Sequence, residues 1–122
     1  MIALAILLQA AATPAPQKLD ALDQYLQCVA FQARSLEPSG EPATTIADVA
    51  ADKCERLRLP AAELLMAEFK ADPVIQRAEQ NSPLSAATLE TMKQQRLSEL
   101  SETARKVALR VVTERRASAK VQ

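Results

Sequence analysis

The chain has 122 residues, 15 acidic and 15 basic side chains, no histidine, no tryptophan and a single glycine, Gly40. That is the length of one domain. One glycine leaves nothing from which to build a phosphate-cradling loop, and the lack of histidine removes the commonest general base, the usual zinc ligand and the near-neutral pH switch.

Alanine supplies 24 of the 122 residues, so the hydrophobic fraction of 48% overstates the core. The aromatics are Tyr25, Phe31 and Phe69. Such a chain buries a thin helix-packing core rather than a deep pocket. Alanine favours helix and lets helices approach closely. The composition therefore predicts an all-α fold, and a thin core is where a covalent staple helps most.

Residues 1–12 read MIALAILLQAAA. An apolar run, Ile2 to Leu8, leads into small residues and then the proline-broken stretch Thr13-Pro14-Ala15-Pro16. This is the pattern of a secretory signal peptide, with Ala10 and Ala12 placing cleavage after Ala12. The run is too short to span a bilayer, which takes about 20 apolar residues. One feature departs from the pattern: no lysine or arginine precedes Lys18. An apolar N-terminal helix is the alternative reading. The leader reading divides the chain into a signal peptide at 1–12, a linker at 13–17 and a single helical domain at 18–122. It places the protein in the periplasm or outside the cell.

A first helix is expected from about Leu19 to Leu36. Leu22, Tyr25, Leu26, Val29, Ala33 and Leu36 recur at three–four spacing along one face. Cys28 lies at the edge of that face. Phe31 lies nearly opposite Leu22, either exposed or covered by a later segment. Glu37-Pro38-Ser39-Gly40-Glu41 is a turn signal. A second helix is expected from about Pro42 to Arg58, with Ile46, Val49, Ala50, Cys54 and Leu57 on one stripe. Pro42 suits a first helical turn, and Thr44 or Thr45 is an alternative cap.

Cys28 and Cys54 are the only cysteines. Behind a leader, an even pair implies oxidation. Cys28 precedes Leu36 by about 12 Å of helix, and Cys54 follows Thr45 by about 13.5 Å. An antiparallel hairpin over 18–58 therefore sets the two level if the second helix begins near Thr45; a start at Pro42 leaves a mismatch of about 6 Å, one turn, for the loop to absorb. The loop so closed contributes roughly 3–4 kcal/mol in the chain-entropy model. The pair is not the C-x-x-C of redox dithiols, and two cysteines without histidine do not complete a zinc site.

Pro60 either starts a new helix or kinks the second. Asp72-Pro73 reads as cap plus first helical residue of a short helix to about Gln80. Asn81-Ser82-Pro83 repeats the signal, with Ser82 as the expected cap of a last helix over about 83–119. Leu89, Met92, Leu100, Ala104, Val107 and Val111 form its stripe. At about 55 Å it exceeds the hairpin by about twofold. Part of it must project into solvent, pack on another molecule, or fray.

Residues 101–122 carry six basic and two acidic groups, a net charge of +4. Cations offset the negative end of a helix dipole. The sharper reading makes Arg105, Lys106, Arg110, Arg115 and Arg116 a contact for an anionic surface. Leu109 lies near Arg105 and Arg116 on the helix, so the charged and apolar sets are not cleanly separated.

The motifs L-x-x-Y-L-x-C-V-A, a short Ser-Gly-Glu-Pro turn and I-A-D-V-A-A-D-K-C-E run from Leu22 to Leu57. This stretch, about a third of the chain, resembles a loosely defined group of small uncharacterised exported two-cysteine helical proteins of alphaproteobacteria. The resemblance implies a signal peptide, two cysteines in facing helices and no assigned activity, and it transfers no catalytic residue.

The expected function is that of a non-catalytic envelope protein, structural or binding another envelope protein or a second copy of itself. A peripheral membrane role through the basic helix is the alternative. An enzyme would have to work through Asp20, Asp23, Asp48, Asp52 and Glu55, of which Asp48 and Asp52 share a helix face. Solvated surface charge accounts for these carboxylates without a cleft. No cofactor or small-molecule substrate is expected. Zero net charge and few aromatics argue against nucleic acid.

Overall fold

The computed structural model describes residues 19–121. The expected leader and linker lie outside the described residues. Those described form five α-helices and two short 3-10 turns, with no strand among them.

Helix α1 spans Ala21–Leu36. Asp20 caps it: its backbone is extended, and its Oδ1 accepts from the Asp23 amide at 2.8 Å. This satisfies one of the amides a helix start leaves unpaired. A 3-10 turn, Glu37–Ser39, ends at Gly40 with φ 76°, the left-handed region. The one glycine of the chain thus stands where a side chain would strain the backbone.

Helix α2 spans Ala43–Lys53 and starts one residue later than expected, with Pro42 as the cap position and neither threonine in that role. It also ends five residues before the expected Arg58. A 3-10 turn, Glu55–Leu57, follows, and α3 begins at Arg58 and runs to Ala71. Pro60 explains the break. In a continuous helix its ring would strike the carbonyl four residues back and leave that carbonyl unpaired. Restarting at Arg58 puts Pro60 in the first turn of α3, where an amide hydrogen has no partner within the helix. Pro60 therefore belongs to the start of a new helix.

Helix α4, Pro73–Asn81, is capped as expected: Asp72 Oδ1 accepts from the Val74 amide at 2.8 Å. Helix α5 spans Ala86–Val121, starting three residues later than expected. Ser82 instead closes α4. The residue before a proline is pushed out of the helical region, so Ser82 opens a loop rather than a helix. Ser85 is the cap: its Oγ accepts from the Thr88 amide at 3.1 Å, and its carbonyl accepts from Leu89 at 3.0 Å.

Helix α5 is the spine, and α1, α2 and α3 all pack on it. At about 1.5 Å per residue its 36 residues extend about 54 Å. Its innermost residues are Leu100, Ala104, Ala108 and Val112, while Val107 and Val111 are half-buried. Every-fourth spacing is the ridge that fits a groove of a neighbouring helix. Two of the four are alanine, which hides them from a reading that weights large apolar residues. Seven of the fourteen buried apolar residues among those described are alanine. The excess length falls at the start of α5: before Leu100 it buries no residue completely, and Leu89, Met92 and Leu97 are half-buried. Tyr25, Val29 and Ala33 of α1 and Ile46, Ala47 and Ala50 of α2 complete most of the core. Val49, expected there, is 37% exposed, and Ala47 takes its place. Phe31 is exposed.

Candidate functional site

The bridge ties the middle of α1 to the end of α2. Cys28 and Cys54 are joined, with Cα atoms 6.0 Å apart. Cys28 is half-buried and Cys54 is fully buried. Cys54 caps α2: its amide donates to Ala51, and its carbonyl accepts from Leu57 at 2.9 Å. The bridge therefore holds the point where α2 yields to the next turn. Removal of 26 residues' worth of loop freedom from the unfolded chain contributes roughly 3–4 kcal/mol.

One turn beyond Cys54, Arg58 clamps this junction to α5. Its Nε and one terminal nitrogen donate to Glu55 Oε1 at 2.9 and 2.6 Å. The other terminal nitrogen donates to the Leu97 carbonyl at 3.1 Å and to Ser101 Oγ at 2.9 Å. The Arg58 side chain is only 25% exposed, so these bonds are partly shielded from water. Burial pushes the Tyr25 hydroxyl above its ordinary pKa, Arg58 pulls it back, and Glu55 adds to the rise. Sequence reading missed Arg58. The Glu55–Arg58 spacing is a local signal, but its partners on α5 lie 39 and 43 residues away.

The five basic residues singled out on α5 do not act as one face. Arg105 Nε lies 3.1 Å from Asp48 on α2. Arg116 faces Glu37 at 3.9 Å and donates to the Glu41 carbonyl. It thereby ties the α1–α2 connection to the end of the spine. The Arg105 pair is well exposed and so contributes at most about 1 kcal/mol, whereas Glu37 is 17% exposed. Lys106, Arg110 and Arg115 make no ion pair with the described residues. Successive residues turn by about 100° on a helix, and this spreads the five around α5.

The acidic candidates are likewise scattered. Asp20 caps α1, Asp48 meets Arg105, and Glu55 meets Arg58. Asp23 and Asp52 are exposed. No group of three or more acidic or cysteine side chains among the described residues is placed to hold a metal ion. No helix among them is long and apolar enough to cross a membrane.

Two grooves remain. One, of about 500 Å³, runs between the end of α1 and the last turns of α5, with Arg34, Arg115 and Ser118 on its walls. The other, of about 410 Å³, lies between α3 and the start of α5. Met66, Ala67 and Leu89 give it an apolar floor, and Glu63, Lys70, Glu90 and Lys93 its rim. Hydrogen bonds from Gln94 and Lys93 hold the Glu90 carboxyl below its ordinary range. Helix α4 packs on α3 with no buried residue of its own, and Val74 is 70% exposed.

No known family model, no curated protein and no solved structure matches this chain.

Proposed function

We propose that this chain is a non-catalytic interaction module of an oxidising, extracytoplasmic compartment. In this reading residues 1–12 are a cleaved leader. Helices α1 and α2 form an antiparallel hairpin stapled by Cys28–Cys54, and the hairpin seats the spine. The α3–α4 corner then offers itself to another envelope protein or to a second copy. The bonded cysteines support the compartment. The Leu22–Leu57 resemblance to small exported proteins points the same way.

The observation that carries the interaction reading is α4. A nine-residue helix with no buried residue gains little from its own chain, since most helical stability in proteins comes from packing an apolar face. Val74 stands out from it, 70% exposed, and α3, on which α4 packs, carries Met66 and Ala67 of the apolar groove floor. A photo-crosslinking residue at position 74, with position 102 on α5 as the exposed control, tests this in cells that make the protein. The reading expects a discrete adduct from position 74 and none from 102. A protein that stays monomeric in light scattering at every dilution and gives no adduct at 74 contradicts it.

A further inference from the structure

Arginines Arg58, Arg96, Arg105 and Arg116 each lie within 3.9 Å of a carboxylate. Arg34, Arg56, Arg77, Arg110 and Arg115 have no carboxylate partner among the described residues, and of these Arg34 and Arg115 come from different helices to line the same groove. Arg34 sits in the last turn of α1, where a cation offsets the helix dipole. That accounts for Arg34 alone. Arg115 stands more than a turn before the end of α5, beyond the reach of the dipole argument.

The groove has a volume of about 500 Å³, within the range of small-ligand sites. Val111 and Ala119 give it an apolar side, and Ser118 adds a hydroxyl. Glu114 is its only carboxylate, and it pairs with neither arginine. One turn before Arg34 on α1, Phe31 is 59% exposed.

We infer that this groove binds a phosphate group, carried by a lipid headgroup or free. A guanidinium is a planar fork that matches phosphate oxygens with two parallel bonds. A carboxylate satisfies one such fork, while a phosphate has oxygens for both, with Ser118 as a further donor. When the phosphate belongs to a lipid, Phe31 rests against the apolar part of the same molecule. The inference stands apart from the α4 interaction reading and uses none of its residues.

The test uses the oxidised full chain and two probes: flotation with phosphatidylcholine vesicles containing phosphatidylglycerol, and titration with inorganic phosphate followed by NMR. Binding of either probe is expected at low salt. Arg34→Gln with Arg115→Gln should weaken it roughly tenfold or more, given the worth of each basic contact near an anionic surface. Lys53→Gln with Arg56→Gln removes the same charge elsewhere on the exposed surface and should weaken it less than about twofold. Arg34→Lys with Arg115→Lys keeps charge and helix and should still lose severalfold, because the fork is gone. Phe31→Ser separates the sources: it weakens vesicle binding if the phosphate is a lipid's and leaves free-phosphate binding unchanged. Equal losses in the two glutamine double variants, or retention of neither probe, overturns the inference.

Discussion

Cys28 and Cys54 sit with their Cα atoms 6.0 Å apart, and they join the interior of one helix to the last position of another. The position matters as much as the bond. Cys54 is where α2 stops, and the 3-10 turn that starts there delivers Arg58 to α5. Cys28→Ala with Cys54→Ala is expected to lower unfolding free energy by roughly 3–4 kcal/mol. Urea denaturation of the double variant beside the oxidised protein measures this. A loss under about 1 kcal/mol would show that the bridge does not restrain the unfolded chain as described.

Arg58 has a second readout. Arg58→Met removes the bonds to Leu97 and Ser101 and should cost about 1–3 kcal/mol. It also removes the cation that counters the burial of Tyr25, so the tyrosine should titrate at still higher pH, read by ultraviolet absorbance. The sign for stability follows. The Tyr25 pKa is raised in the folded chain above its ordinary 10.0, so the folded state holds the proton longer than the unfolded one. The stability tied to this group is fully present below pH 10.0 and is lost as pH rises through the folded value. A Tyr25 titration that moves down in the Arg58→Met protein contradicts this account.

Gly40 tests the turn. A Cβ there meets no atom within 4 Å, so only the φ of 76° resists a side chain. Gly40→Ala should cost about 1–2 kcal/mol, and Gly40→Asn, which tolerates the left-handed region, distinctly less. Equal costs for the two would place the strain elsewhere.

The two serines at the start of the last helix separate cleanly. Ser85→Ala should cost about 1 kcal/mol through loss of the cap bond to Thr88. Ser82→Ala should be nearly neutral, because Ser82 closes α4 through its backbone amide alone. Thermal denaturation of both variants reverses this assignment if Ser82→Ala is the costlier.

The alanine core is tested by enlargement. Ala104 and Ala108 are fully buried where α5 meets its neighbours. Ala104→Leu should destabilise by about 1–3 kcal/mol through overpacking. Val49→Leu, at a position 37% exposed, should change stability little. If leucine at position 104 is tolerated as well as at position 49, the close approach of the helices at this layer is wrong.

What the sequence made legible was local. Asp72-Pro73, the Pro38–Gly40 turn and the pairing of the cysteines each follow from residue types and short spacings. The misses had two physical causes. Helix ends near proline depend on a choice between kinking and restarting, and composition does not decide it. Lys53 as the last residue of α2 and Ser85 as the cap of α5 both fell to that choice. The other cause is alanine. Ala47 on α2 and Ala108 on α5 are buried by their smallness, while on each helix the stripe of larger residues drew the face slightly to one side. Of the basic residues on α5, the sequence supplied the list but not the partners. Asp48 and Glu37 are many residues distant, and only the packing of α2 and of the α1–α2 connection on the spine brings them to Arg105 and Arg116.

The most direct test of the whole account is the intact mass of the protein recovered from cells, with and without thiol alkylation under denaturing, non-reducing conditions. An exported, stapled module predicts loss of residues 1–12, a mass lower by two hydrogens than the reduced chain, and no alkylation until a reductant is added. A chain that retains residues 1–12 and takes up alkylating agent at both Cys28 and Cys54 without reduction contradicts it.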